Sequence, residues 1–510
     1  MEASPKTLCV DVGNANDPSE DGSVTHPFDM IQEGIEAAGS GDTVQVAAGK
    51  YRESVVINKS MISLAGQKGG TIIDGNGTMP VGIRLYHTPP NYTENVSISG
   101  FTVRDCVKGI TLSRSIYTRL RDNSMVGNTY NFGDYTLQVQ DIDASNTVDG
   151  KPIYFWTYQH DRQVPADAGF VAIVDSKNIT VRDLDLANNV QGLILKNTTE
   201  SLIENLRIHD NWDGLYLERW SNSNTIIHSS MSNNLFMGVY VSTSSSNLIA
   251  NNSMLNNAYG ILLDSSVFEY TEGYTPTGNT VEDNIITQNT VAGSSLDGVY
   301  LNGCVDNVFF DNNFDNNTRQ VESLNSTSRW DDGTEGNLWS DYAGKDLDHD
   351  GIGDSPYVID ENNRDNHPLM GFHSDFSATW QNETYSVVTV SSSVISTFDF
   401  SQVDKMISFN VNGSDSVFGF CRVSIPVNLI GGPYMFVLDD VSSADFVGTS
   451  NETHSFLYFT YSGAHNVRIS GTSVVSEFPS FLLVLLLAGL TAGAVAVKLT
   501  WKKLRPALSG

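Results

Sequence analysis

The stretch "NNAYGILLDSS", Asn256 to Ser266, places two asparagines and a glycine directly before a short apolar run. Strands normally exclude both residue types. The same phrase recurs along the chain, each time with a glycine before an apolar–x–apolar triplet: Gly192, Gly214, Gly238, Gly260 and Gly298. The first four glycines follow one another at intervals of 22, 24 and 22 residues. A period in the low twenties indicates a chain built from stacked repeats.

The segments between these glycines decide which repeat is present. They read "SNSNTIIHSSMSNN" and "SSSNLIANNSMLNN", short β-branched pieces among Asn and Ser with nothing periodic enough for the helical half of a leucine-rich repeat. We therefore predict an all-β fold, a parallel β-helix whose coils hold three short strands each. Gly and Asn would supply the left-handed backbone at the corners, and Asn252, Asn284 and Asn312 would form hydrogen-bonded ladders between coils stacked about 4.8 Å apart.

Charge and cysteine content limit the classes of partner that this chain is expected to bind. The 510 residues carry 59 acidic and 29 basic side chains, a formal net charge of −30. Nucleic acid is excluded as an expected partner, because binding it requires basic patches. The four cysteines have no metal or redox spacing, so buried free thiols are expected: Cys9, Cys106, Cys304 and Cys421. Nothing in the sequence sets the oligomeric state.

The chain divides into six predicted segments. Residues 1–50 form an N-terminal cap with a helix near 28–38, and residues 51–327 form the β-helix with a protruding excursion at about 130–168. Residues 328–371 are rich in Trp and Asp, and residues 372–474, with short alternating strands, predict a small β-sandwich. Residues 478–497 form a transmembrane helix, followed by a basic tail at 498–510.

The membrane prediction rests on "FPSFLLVLLLAGLTAGAVAV", Phe478 to Val497, which contains 20 residues and no charge. At about 1.5 Å per residue it spans one hydrocarbon layer of roughly 30 Å. Basic residues follow it, which predicts a cytoplasmic tail and a bulk exposed at the cell surface. The start "MEASPKTLCV" shows no signal peptide, so we expect a truncated or misassigned start. The tail-anchored alternative would leave the bulk in the cytoplasm.

These repeats, together with the block "GNLWSDYAGKDLDHDGIGDSPYVIDENNRDNHPLM", resemble the NosD-type right-handed parallel β-helix, also described as a carbohydrate-binding and sugar-hydrolysis repeat domain. The pieces "GKPIYFW", "GFCRVSIP" and "EFPSF" are similar to large archaeal cell-surface proteins of this type. The resemblance implies a right-handed helix at the cell surface and no particular reaction. The family name derives from a periplasmic protein needed to mature a copper enzyme.

A calcium-type loop is present in "DLDHDGIGD". Carboxylates at its first, third, fifth and ninth positions, a glycine at the sixth and a backbone carbonyl at the seventh match the start of a calcium-binding loop. The expected ligands are Asp346, Asp348, Asp350, Ile352 and Asp354. Tyr357 stands where a sensor loop has its bidentate Glu, so we expect a single structural site.

A glycan-binding face follows from stacking, because residues two and four after each glycine should point outward. The positions two after glycine are Ile194, Tyr216, Tyr240, Leu262 and Tyr300, and those four after are Lys196, Glu218, Ser242, Asp264 and Asn302. Tyrosine rings beside Glu218 and Asp264 would suit a sugar chain. We expect binding or display of glycans without catalysis.

Catalysis on the same face is the alternative. Glu218 and Asp264 would lie two coils apart, roughly 9–10 Å, near the upper limit of about 9.5 Å for an inverting glycosidase pair. A polysaccharide lyase could instead use Lys196, Arg219 and Asp213. Copper is not expected, because the histidines are scattered and no Met-x-x-Met or His-x-His occurs.

Overall fold

A computed structural model describes residues 4–15, 17–88, 90–135, 138–266, 280–443 and 446–473. The chain forms two compact units. Within the described ranges, one holds the residues up to 348 together with 352–373, and the other holds 349–351 together with the residues from 374 on. The first unit is a parallel β-helix and the second is built from antiparallel sheets, so the predicted all-β class and the parallel β-helix are confirmed for the described chain.

The wall that carries the repeat glycines, here called the long sheet, joins fifteen strands. Its strands in spatial order are Gly49–Tyr51, Thr71–Leu85, Phe101–Leu112, Ser124–Val126, Thr147–Val148, Lys151–Thr157, Phe170–Val174, Gln191–Lys196, Asp213–Glu218, Met237–Ser242, Tyr259–Asp264, Asp297–Asn302 and Arg319–Leu324, with Val55–Ile57 and Tyr130–Asp134 at its side. From Lys151 to Leu324 each strand pairs in parallel with the strand one coil further on.

Three further parallel sheets complete the walls. The first contains Thr7–Val10, Thr43–Val46, Ser63–Ala65, Ser97–Ser99, Arg119–Arg121 and Asp141–Ile142. The second contains His160–Gln163, Lys177–Arg182, Leu202–Glu204, Thr225–Ile227, Leu248–Ala250, Ile285–Thr287, Val305–Phe310 and Thr327–Arg329. The third contains Asp185–Ala187, Arg207–His209, Ser230–Ser232, Ser253–Leu255, Thr290–Ala292, Asn313–Asp315 and Leu338–Trp339. Two short pairs lie outside them, Thr93–Glu94 with Ser115–Ile116 and Tyr357–Val358 with Arg364–Asp365.

The repeat glycines are not at the left-handed corners, which corrects the prediction made for them. Left-handed backbone falls instead on polar residues such as Asn205, His228 and Asn251, with φ of 54°, 50° and 55°. The glycines are required by close approach between coils: a Cβ on Gly238 would lie 2.6 Å from the carbonyl oxygen of Gly260. Only a residue without a side chain allows this spacing.

The predicted asparagine ladders are confirmed. The Asn252 side chain donates to Asn289 Oδ1 at 3.1 Å, Asn289 donates to Asn312 at 3.0 Å, and Asn312 donates to Asn337 at 2.9 Å. Asn284 belongs to a second ladder and donates to Asn307 at 2.9 Å. These amides are buried, so each coil satisfies polar groups of the next one at its corners.

The core runs as a narrow column between the walls and is closed at both ends. At the start, the short helix Ile31–Ala37 buries Ile31 and Ile35 beside the first strands, and a 3₁₀ turn occupies Val12–Asn14. At the other end, aromatic rings stack as Phe309 on Trp330 (4.3 Å between centroids) and Phe314 on Trp339 (4.6 Å). The Trp-rich segment therefore supplies the rings that cover the last coil.

The excursion expected at 130–168 is largely absent. Lys151–Thr157 lies in the long sheet, pairs with Phe170–Val174, and buries Ile153 and Phe155. The sequence period breaks there because Thr147–Val148 turns back on Lys151 as an antiparallel pair. An irregular coil, not a protrusion, explains the missing repeat.

The second unit contains two five-stranded antiparallel sheets around one apolar core. One sheet holds Phe372–Trp380, Glu383–Ser391, Gly419–Pro426, His454–Tyr461 and Val447–Ser450, and the other holds Ser396–Ser401, Met406–Asn412, Ala464–Ser473, Gly431–Leu438 and Val441–Ser443. Within the described ranges no helix is long and apolar enough to cross a bilayer. The predicted span at 478–497 and the tail at 498–510 lie outside those ranges.

Candidate functional site on the outer face of the long sheet

The tyrosines two residues after the repeat glycines form one row. Strand register pairs Ile194 with Tyr216, Tyr216 with Tyr240, Tyr240 with Leu262, and Leu262 with Tyr300. The Tyr216 and Tyr240 rings meet edge to face, with centroids 4.9 Å apart. Tyr240 is only 7% exposed and Ile194 is fully buried. The row exists, but its middle members pack against one another more than they face solvent.

Three further aromatic residues, which the sequence analysis missed, widen this row. They are Trp212, Phe236 and Tyr259, which stand one or two residues before a repeat glycine. Phe236 is 38% exposed, and its ring lies 5.2 Å from that of Tyr259. The centroid of the Tyr259 ring in turn lies 5.7 Å from that of the Tyr300 ring. We call the six residues Trp212, Tyr216, Phe236, Tyr240, Tyr259 and Tyr300 the aromatic row. The recurrence of large residues before the glycine was the signal that could have found them.

The polar positions four after glycine also align, with Lys196 opposite Glu218, Glu218 opposite Ser242, and Ser242 opposite Asp264. Asp264 is buried, and its Oδ1 accepts hydrogen bonds from Asn302 Nδ2 at 3.0 Å and from the Ser266 amide at 2.8 Å. Glu218 Oε1 lies 3.6 Å from Arg219 Nε. Burial lowers the pKa of Lys196. Asp264 is thus held by its own turn and by the next coil, whereas Glu218 and Arg219 form an ion pair.

Asp213 is the most perturbed carboxyl of this face. The side chain is 3% exposed, and its Oδ2 accepts a hydrogen bond from the Tyr216 hydroxyl at 3.0 Å. The carboxyl also accepts a hydrogen bond from the Met237 backbone amide, which opposes the effect of burial on its pKa. Burial raises the pKa of Asp213 to about 7, because desolvation disfavours the charged carboxylate. Burial also raises the pKa of Tyr216 well above its usual value, so Tyr216 remains a donor.

Lys108 joins this site from an earlier coil. Its ammonium lies 4.2 Å from the centroid of the Trp212 ring and donates to the Tyr135 hydroxyl at 2.7 Å. Tyr130 packs edge to face on Trp212 at 5.6 Å. Burial raises the pKa of Tyr135 to about 12 and lowers that of Lys108. Sequence reasoning missed Lys108, Tyr130 and Tyr135 because they lie outside the regular repeats.

The predicted calcium loop brings three carboxylates together. Oxygens of Asp346, Asp348 and Asp350 lie within 4.8 Å of one another. Asp354 Oδ2 accepts the Leu347 amide at 2.7 Å, and Ile352 pairs with Leu369. Oxygen donors of this kind suit calcium.

The family name implies copper. Within the described ranges, the groups of three or more His, Cys, Asp or Glu side chains that could hold one ion consist of carboxylates alone, whereas copper sites use thiolates, thioethers or imidazoles. The thiols of Cys106, Cys304 and Cys421 are free and buried, and burial raises the pKa of each to about 11 or 12. We derive no copper chemistry from them.

Comparisons with known proteins agree with the architecture. Residues 145–344 match the family described as periplasmic copper-binding protein (NosD), so the resemblance to this type of right-handed parallel β-helix is confirmed for that part of the chain. None of the curated proteins matches the chain significantly.

Several solved structures are similar at low identity. The Dettilon tailspike protein (gp208) is 13% identical, with 91% of this chain and 94% of that chain covered and a TM-score of 0.27. The alginate lyase from Paenibacillus sp. str. FPU-7 is 10% identical, with 64% and 98% covered and a TM-score of 0.25. The periplasmic alginate epimerase AlgG is 14% identical, with 57% and 78% covered and a TM-score of 0.27. At these values the likenesses carry no argument about ligand or reaction.

Proposed function

We propose that the protein binds polysaccharide chains along the outer face of the long sheet. The observation that carries this proposal is the aromatic row, in which rings of successive coils meet as Tyr216 with Tyr240, Phe236 with Tyr259, and Tyr259 with Tyr300. Aromatic rings give large apolar contact area and, in tyrosine, a polar group at the edge. Glu218 and Asn302 flank the row in register and are only partly buried. A sugar chain lying along the helix axis would contact both kinds of group.

A binding assay with a double variant tests the row. Tyr216→Ala/Tyr240→Ala would remove two rings but would also disturb packing, because Tyr240 is buried. Phe236→Ala/Tyr300→Ala is the cleaner variant, since Phe236 is 38% exposed. Each lost ring contact is worth about 1 kcal/mol, so the double variant should bind about tenfold more weakly or worse.

The matched control is Phe418→Ala, which removes a ring that is 81% exposed in the second unit. Binding would be measured on a glycan array and then by calorimetry on the best ligand. Equal affinity of wild type, control and double variant would refute glycan binding by the row.

Cleavage of the bound chain is a second candidate, favoured by Asp213. A carboxyl that titrates near neutral pH is suited to general acid catalysis, and burial raises the pKa of Asp213 to about 7. Release of reducing ends would indicate a hydrolase, and release of unsaturated uronates would indicate a lyase. Neither product should form with Asp213→Asn. If wild type releases neither product from any polysaccharide that it binds, the protein binds without cleavage.

Calcium binding by the 346–354 loop is part of the proposal. Removing two of the three clustered carboxylates in Asp346→Ala/Asp350→Ala should abolish a calcium titration signal that wild type gives at millimolar concentration or below, because the ion needs several oxygen ligands. Asp331→Ala/Asp332→Ala removes the same charge from a neighbouring turn and serves as control. A wild-type protein that gives no calorimetric signal would refute the site.

We also propose that the protein is displayed at the cell surface through residues 478–497. The support is the uncharged run of 20 residues followed by basic ones. The full chain should fractionate with membranes and be accessible to protease added to intact cells. A chain ending at residue 473 should be recovered in the soluble fraction.

A further inference from the structure

Two cations at one end of the aromatic row contrast with the acidic character of the chain. Acidic side chains outnumber basic ones by 59 to 29, yet neither Arg84 nor Lys108 forms an ion pair with a carboxylate of the described chain. Arg84 lies 4.2 Å from the Tyr86 ring, and Lys108 lies 4.2 Å from the Trp212 ring. Lys108 and Tyr135 are both partly exposed. An anion approaching this end of the row would therefore meet positive charge that no ion pair of the described chain holds.

Asp213 is the acidic group that interacts with Lys108 electrostatically. Its carboxyl is buried and accepts hydrogen bonds from the Tyr216 hydroxyl and from the Met237 backbone amide. Near neutral pH this carboxyl changes from neutral to negative, since burial raises its pKa to about 7. In the neutral state it leaves the charge of Lys108 unopposed. In the ionised state it opposes that charge.

We propose that Lys108 and Asp213 form a subsite for the carboxylate of a uronic acid unit at this end of the aromatic row. Lys108 attracts the anion, and ionisation of Asp213, which we call the gate, weakens its binding. This inference rests on the proposed glycan binding and specifies its ligand class. It requires no direct contact between the sugar and the buried Asp213, because the gate acts through charge. A neutral sugar would bind the aromatic row without using the gate.

The charged groups near Asp213 are Arg84, Lys108 and, on the same strand as Asp213, Glu218, which lies beside Arg219. The neighbouring phenols are neutral because burial raises the pKa of each one: Tyr130, Tyr135, Tyr216 and Tyr240. Binding of an acidic sugar should therefore follow the titration of Asp213 and not that of the phenols. Affinity should fall as pH rises through about 7, since ionised Asp213 repels the ligand carboxylate.

The experiment compares an oligogalacturonate with a neutral galactose oligomer of equal length by calorimetry at pH of about 5.5, 7 and 8.5 and constant ionic strength. Wild type should bind the acidic oligomer about tenfold more weakly at the highest pH than at the lowest, a difference of about 1.4 kcal/mol. Its affinity for the neutral oligomer should not change with pH.

Two variants and a control assign the effect. Asp213→Asn should bind the acidic oligomer equally at all three pH values. Lys108→Gln should lose the preference for the acidic oligomer while still binding the neutral one. Lys177→Gln, which removes an exposed lysine paired with Glu200 on another sheet, should behave as wild type. Melting curves of each variant would exclude loss of the fold as the cause.

The outcomes separate the subsite from the general proposal. If wild type binds both oligomers equally and Lys108→Gln changes neither affinity, the subsite is refuted and the aromatic row stands. A pH dependence that persists in Asp213→Asn would also refute the gate. If wild type binds no oligomer at any pH, glycan binding itself fails and the subsite with it.

Discussion

At the residue scale, Asp213 links burial to protonation. Its pKa is about 7 in the folded chain against an ordinary value of 3.8. Between these values the folded state binds a proton that the unfolded state has lost, so the stability contributed by this group falls as pH rises from about 4 to about 7. Three pKa units correspond to about 4 kcal/mol, an upper estimate for this one site. Above pH 7 the loss of stability caused by ionised Asp213 is complete and no longer changes with pH.

Asp213→Asn should therefore stabilise the protein at pH 8 and not at pH 4. An amide carries no charge to desolvate, so the penalty disappears in the variant. Denaturant unfolding of both proteins at the two pH values gives the comparison, and the difference at pH 4 serves as the internal baseline. The same difference at both pH values would contradict a protonated Asp213.

The sequence identified some of the site residues at this scale and not others. Tyr216, Tyr240 and Tyr300 could be named because they recur at a fixed distance from glycine, and the register confirms their row. The partners of Asp213 could not all be named in the same way. Lys108 precedes it by about a hundred residues and belongs to an irregular coil, and burial, which sets the pKa of Asp213, depends on the packed neighbours.

At the element scale, the ladders and glycines determine how closely coils stack. Asn289 Nδ2 donates to Ile249 O at 2.8 Å and to Asn312 Oδ1 at 3.0 Å, and its Oδ1 accepts from Asn252. One side chain thus satisfies groups on the coil before it and on the coil after it. Because these groups are buried, water cannot replace the asparagine.

Replacing Asn289 with Ala should cost about 3 kcal/mol or more of unfolding free energy. The change leaves several buried donors and acceptors unpaired, at roughly 1–3 kcal/mol each. Gln45→Ala removes an exposed amide with one bond to Ala65 O and should cost under about 1 kcal/mol. Chemical unfolding monitored by circular dichroism measures both. Similar losses for the two variants would mean that the ladder contributes little.

At the scale of the whole molecule, the net charge of −30 sets a condition for stability. Like charges repel one another in the compact state more than in the extended chain. Raising salt from about 0.01 M to about 0.1 M shortens the screening length from roughly 30 Å to roughly 10 Å. The charge therefore opposes folding most strongly in dilute buffer.

The melting temperature should rise with sodium chloride and level off by several tenths molar. Scanning calorimetry with a chelator present separates this effect from calcium binding. Sucrose at matched osmolality controls for solute exclusion, which should grow steadily without levelling off. A melting temperature that falls with salt would indicate that specific ion pairs outweigh the repulsion.

The sequence by itself determined that this chain forms a β-helix. A repeat of about 22 residues with Asn and Gly at fixed places lets equivalent residues of successive coils stack on one another. It also determined the ladders and the tyrosine row, which follow from that period. Tertiary structure alone decided that the glycines serve close packing, that residues 151–157 lie in the long sheet, and that Lys108 approaches Asp213. Those features depend on distances between coils and on burial, and a local pattern of residues specifies neither.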